Sequence, residues 1–224
     1  YSNMGTQEDP LVTTFMRYRL CGKGASYFLW NNVQSYYEKL EHAFTDIISD
    51  VPKDYLYPCF ITLSSATLEY SLNFMYALYC FQHFEYDKYQ IYLDTYRNMR
   101  FKNKLFMLPY ILSHGAMVIN EDSETIKALC KLISKRNALL HNSEKLQQFD
   151  SPDIGATLIG NNIAIPIENT EIHFTISVED NIIDSITKED CVQIGNAMLS
   201  FYKHVIYPYV NNHGIKACDC IKKC

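Results

Sequence analysis

The chain has 224 residues, 48% of them apolar, and a net charge of −5 from 20 Lys+Arg against 25 Asp+Glu. That length suits one domain, and the apolar fraction excludes a disordered chain. With only 8 Gly and 7 Pro, collagen-like and low-complexity classes fall away, and the acidic balance excludes a nonspecific basic nucleic-acid coat, though not a local basic site.

In chain order, residues 1–25 read as an N-terminal extension, with Met4 as the natural start and a loop signal at Cys21-Gly22-Lys23-Gly24. A helix is predicted from about Ser26 to Ser49, because Phe28, Leu29, Val33, Tyr36, Tyr37, Leu40, Phe44, Ile47 and Ile48 recur at spacings of three and four. Ser26 would cap it, and Pro52 would end it. A second long helix is predicted from about Thr62 to Phe84. Leu68, Leu72, Met75 and Tyr79 form its apolar stripe; Glu69, Asn73 and Tyr76 form a polar line beside it. Tyr86 to Met99 is also predicted as helix. The basic run Arg97, Arg100, Lys102 and Lys104 then leads into Leu105–Ser113, with Pro109 as a break.

Asp122 or Ser123 opens the next predicted helix, which continues to about His141. Between residues 156 and 177 three short strands are predicted: Ala156–Ile159, Ile163–Ile167 and Glu171–Ser177. The last helix is predicted from Thr187, a good cap, to Asn211. The expected fold is mainly α: an antiparallel helical bundle over residues 26–211, with a small β excursion before the last helix. Residues 212–224 read as a loose, Cys-rich tail.

No apolar run approaches the roughly 18 to 20 residues of a membrane span, so no membrane partner is expected. Eight cysteines would suit disulfides in a secreted chain, but no charged-then-apolar leader opens the sequence. Most of the cysteines also fall in apolar, helix-like stretches, so a reducing cytoplasm is expected. The tail pattern His213-x4-Cys218-x-Cys220-x3-Cys224 offers soft ligands, but its spacing is unlike the paired knuckles of structural zinc sites. No metal or cofactor is expected. Phosphate-loop, dinucleotide-binding, zincin and hydrolase motifs are all missing from the sequence.

The stretch that carries chemistry is 125–142. Projected at about 100° per residue, Ile126, Leu129, Cys130, Ile133 and Leu140 make an apolar arc. Asn137 falls inside it, Arg136 and His141 lie on its edges, and Lys127, Lys131 and Lys135 point away as a solvated face. An amide buried without a partner costs roughly 1–3 kcal/mol. Asn137 must therefore bridge something structural, or this end of the helix must face a polar cleft or a partner. Asn137 and His141 are four apart and share a face, so Asn137 could fix the tautomer of His141. At the helix's negative end a protonated imidazole is favoured. An Arg, an Asn and a His converging make a phosphate-handling set: the Arg binds phosphate in two places and the His moves a proton.

Arg136-Asn137-Ala138-Leu139-Leu140-His141 resembles the R-x4-6-H signature of HEPN domains (higher eukaryotes and prokaryotes nucleotide-binding), in which a polar residue often follows the Arg. A late helix bearing the motif, a closing helix after it, and the Thr62–Phe84 helix with Glu69 and Asn73 are similar to that family too. The resemblance covers about Ser26 to Asn211; the β excursion departs from a minimal HEPN bundle. It implies a metal-independent endoribonuclease that leaves 2′,3′-cyclic phosphates. Arg136 and His141 would be catalytic, Asn137 would support them, and two chains would face one cleft as a homodimer. It also implies a toxin or phage-defence effector, with an antitoxin or regulatory protein as a further partner. Glu69 could orient Arg136 or His141. Arg97, Arg100, Lys102, Lys104 and Lys145 are candidate RNA contacts. Two alternatives stand beside this reading. One is a catalytically silent HEPN-like module binding RNA, a nucleotide or a protein. The other is a structural protein in which Arg136 pairs with a carboxylate and His141 caps a helix.

Overall fold

The computed structural model describes residues 15–22, 25–49, 54–140, 157–159, 162–164 and 182–224. The chain is mainly helical, as the periodicity predicts. Strands β1 (Phe15–Gly22) and β2 (Ala25–Trp30) pair antiparallel. Helix α1 (Val33–Ile48) follows, then α2 (Leu56–His83), α3 (Tyr86–Arg97) and α4 (Phe101–Leu112). Strand β3 (Met117–Ile119) leads into α5 (Glu124–Leu140). After the pair β4 (Thr157–Ile159) and β5 (Asn162–Ala164) comes α6 (Lys188–Phe201). A π-helical segment, Tyr202–Ile206, joins α6 to the short α7 (Tyr207–Val210), and β6 (Ile221–Lys223) closes the described chain.

Helix α2 is the axis of the fold: α1, α3, α4, α5 and α6 all pack on it. A helix that is apolar all round belongs in the interior, and Leu68, Leu72, Met75, Leu78 and Cys80 of α2 are fully buried. Tyr76, read from sequence as part of a polar line, is fully buried as well; its hydroxyl donates to the Lys104 carbonyl at 2.8 Å and ties α4 to α2. A buried phenol retains such a partner because an unmade bond there is costly.

Several expectations are corrected. The helix predicted from Ser26 is a strand as far as Trp30, so Ser26 lies in β2 and not at a helix start. Tyr27-Phe28-Leu29-Trp30 is rich in β-favouring aromatics, and pairing with β1 overrides the helical spacing. β1 itself lies within the segment read as an extension. The second helix starts at Leu56, ahead of Thr62. Pro109 does not break its helix but sits buried inside α4, near its end. There the missing N–H costs one ladder bond, and the helix continues through Ser113 N–H to the Pro109 carbonyl at 3.0 Å.

The tail is not loose: β6 pairs antiparallel with β3, Met117 opposite Lys223 and Ile119 opposite Ile221. Of the β excursion, β4 and β5 pair as expected; the third predicted strand lies outside the described residues.

Two local devices set the closing helix. Thr187 caps α6 in a reciprocal box: its hydroxyl accepts from Asp190 N–H, and the Asp190 carboxylate accepts from Thr187 N–H. Gly195 lets α6 approach α1 closely, because a Cβ there would overlap the Phe44 ring.

Candidate functional site at the open end of α5

Helix α5 buries Ile126, Ala128, Leu129, Leu132 and Ile133 against the core. Past Ile133 its character changes. Ser134, Asn137, Ala138 and Leu140 are exposed, Leu140 at 56%. Asn137 therefore meets solvent, which resolves its position in the apolar arc: this end of the helix faces outward.

Arg136 is the centre of the arrangement. Its side chain is 26% exposed, and one guanidinium nitrogen lies 3.6 Å from Glu69 Oε2. Another donates to Asn137 Oδ1 at 3.0 Å. The guanidinium carbon stands 6.0 Å from the centre of the Phe101 ring, at the first turn of α4. Glu69, carried by α2, offers its second oxygen, Oε1, to Lys104 Nζ at 3.5 Å. One carboxylate thus serves two cations, and the trio carries a net positive charge on an acidic chain.

The structure brings Arg136, Asn137 and Glu69 together. It corrects Lys104 as an RNA contact: only 3% of the residue is exposed, and its ammonium lies against Glu69 inside the fold. Arg97, Arg100 and Lys102 are exposed, and the Lys102 ammonium lies 5.3 Å from the centre of the Phe106 ring. His141 and Lys145 lie outside the described residues. Asn137 gives its oxygen to Arg136; its tautomer-fixing role toward His141 is an expectation that also lies outside them. Phe101 was not singled out in the sequence. An aromatic beginning a helix just after a cationic run is the signal that could have found it.

The solvated lysine face is corrected at Lys135, whose side chain is drawn in. Lys131 and Lys135 of α5 grip Asp190 at the start of α6, at 2.6 and 2.8 Å to its two oxygens. Burial alone would raise that carboxyl, but bonds from Lys131, Lys135 and the Thr187 amide outweigh it and hold it at about 2. Lys127 and Lys131 remain exposed, as the solvated reading has it, Lys127 paired with exposed Glu124 at 2.7 Å.

Among the described residues no three His, Cys, Asp or Glu side chains gather as a metal site, and no described helix is long and apolar enough to cross a membrane. A mostly apolar depression at the α1–α2 corner is lined by Ala43, Ile47, Leu56, Phe60 and Leu63, with one carboxylate, Asp46, in its lining. The chain matches no family model, and no curated protein or solved structure is similar to it.

Proposed function

We propose that the chain is a metal-independent endoribonuclease of HEPN type. In this reading the Arg136 guanidinium grips the scissile phosphate and His141 moves the proton. The 2′-hydroxyl of the RNA attacks phosphorus, the bond to the 5′-oxygen breaks, and a 2′,3′-cyclic phosphate and a 5′-hydroxyl remain. Protonation of the departing 5′-oxygen and deprotonation of the 2′-hydroxyl call for an acid and a base. One motif per chain supplies one imidazole, so a homodimer with two motifs in one cleft is proposed, in the cytoplasm. The proposed role is a toxin or phage-defence effector, with an antitoxin or regulatory protein as an additional partner.

The observation that carries the reading is the state of Arg136. A contact of 3.6 Å to Glu69 is longer than a hydrogen bond, and such partly exposed pairs are worth about 0–1 kcal/mol. A bidentate, charge-assisted grip on phosphate is stronger. The guanidinium can therefore turn to a phosphodiester at little cost, with Phe101 and Asn137 limiting where it goes. Exposed Leu140 gives the same end an apolar contact for a second chain.

The same ion pair supports a second reading: Arg136 fastens α5 to α2, and the chain is a silent HEPN-like module that binds RNA, a nucleotide or a protein. End-group analysis separates the two. Incubation with RNA in a chelator should yield 2′,3′-cyclic phosphate ends if the first reading holds. Intact RNA would leave the second; cleavage that requires added metal would contradict both.

A further inference from the structure

Independently of the nuclease reading, the C-terminal strand brings a pair of thiols together. Cys218 and Ile221 bond to each other's backbones at 2.9 and 3.2 Å, which makes Asp219 and Cys220 the corners of a tight turn. In that turn the sulfurs of Cys218 and Cys220 are 3.3 Å apart. Cys220 is buried, and Cys218 is half-buried. The turn is pinned to the start of α5. Asn120 N–H donates to the Cys220 carbonyl at 3.0 Å, Asn120 Nδ2 to the Asp219 carbonyl at 2.8 Å, and Ser123 Oγ to Asp219 Oδ2 at 2.5 Å. Ser123 occupies the capping position of α5, because its carbonyl accepts from Lys127 N–H at 3.0 Å. Its hydroxyl is committed to Asp219 and so to the turn.

We propose that Cys218 and Cys220 form a redox-active dithiol that a peroxide closes to a disulfide, loosening the clasp that Asp219 makes on the first turn of α5. The Cys218 sulfur attacks one peroxide oxygen. An S–O bond forms, the O–O bond breaks, and the departing hydroxide takes from solvent the proton that the Cys218 thiol released on ionising, leaving as water. The Cys220 sulfur then attacks the Cys218 sulfenic acid. An S–S bond forms, the S–O bond breaks, and a second water leaves with the Cys220 proton. Two thiols are oxidised and one peroxide is reduced.

Cys218 is suited to attack first. The hydrogen bond from the Cys220 thiol, helped by the backbone amides of Cys220 and Ile221, draws it down to about 6 against burial and Asp219. A thiolate at neutral pH is the reactive form. Cys220 is pushed the other way by the same hydrogen bond and by burial, and keeps the proton. Closing the sulfurs to a bond of about 2.05 Å moves the turn between them. Asp219 is the residue between, so its bonds to Ser123 and Asn120 give first.

The test uses the full chain with hydrogen peroxide, alkylation of the remaining thiols and digestion with trypsin. The peptide Ala217–Lys222 contains Cys218 and Cys220 and no other cysteine. It should escape alkylation and weigh two hydrogens less than its reduced form, while exposed Cys59 and Cys224 are oxidised severalfold more slowly. In Cys220→Ser, the Cys218 sulfenic acid should accumulate and be trapped by a dimedone probe. Amide exchange over residues 124–128 should quicken severalfold on oxidation and return with dithiothreitol. Recovery of that peptide doubly alkylated under peroxide that oxidises Cys59 would overturn the dithiol. A disulfide that leaves exchange at 124–128 unchanged would overturn the clasp.

Discussion

At its N-terminal end α5 is held from outside. Ser123 is bound to Asp219, and β3 is paired with β6; about two and three turns further on, Lys131 and Lys135 share Asp190 with the cap of α6. At its C-terminal end the helix makes one long ion pair, Arg136 to Glu69, and exposes Asn137 and Leu140. The same helix thus spends the charge of Lys131 and Lys135 on the fold and leaves the charge of Arg136, beside Lys135, available. Lysines held at 2.6 and 2.8 Å by one carboxylate are structural; a guanidinium 3.6 Å from its carboxylate, with a neutral amide oxygen as its shorter partner, has capacity left for a ligand.

The contrast breaks most visibly at Asp190. Asp190→Ala removes the acceptor for two lysines and half of a capping box, and should cost about 2–3 kcal/mol, read as a lower urea midpoint. A midpoint equal to that of the unaltered chain would remove the clamp from the account. The pH dependence has a definite sign. The carboxyl is held at about 2 in the fold against an ordinary 3.8, so its stabilisation is complete above about pH 4 and drains away as the pH falls through about 2. Asp190→Asn should flatten the loss of stability across that window.

Gly195→Ala should come next. A helical alanine gains about 1 kcal/mol, but overlap with the buried Phe44 ring costs about 1–3 kcal/mol. The net is a loss of about 1 kcal/mol in thermal melts, and Phe44→Leu in the same chain should recover part of it. A gain in stability would show that α1 and α6 are not in close contact. The smallest effect belongs to the open end: Arg136→Ala should change stability by less than about 1 kcal/mol. A loss as large as that of Asp190→Ala would make Arg136 a fold residue and favour the silent module.

The helices were legible where one periodicity ran unbroken. Tyr86–Arg97 and the Thr187 cap followed from spacing and cap chemistry alone. Residues 25–30 were not, because Tyr27 to Trp30 suit a strand or a helix and only the partner β1 decides. The tail was opaque for a similar reason: Ile221–Lys223 is too short to declare itself without β3 beside it. Within the site, a carboxylate near Arg136 was foreseeable, since Glu69 interrupts an apolar helix. The loss of Lys104 to that same carboxylate was not, because a Lys in a basic run gives no local sign that its head is buried.

The most direct measurement is the cleavage rate of RNA by the unaltered chain and by His141→Ala, in chelator, with melting temperatures taken on the same samples. The account predicts that His141→Ala melts as the unaltered chain does and cleaves at least about 100-fold more slowly, the lower range for losing a catalytic proton donor. Equal cleavage by the two folded proteins would contradict it.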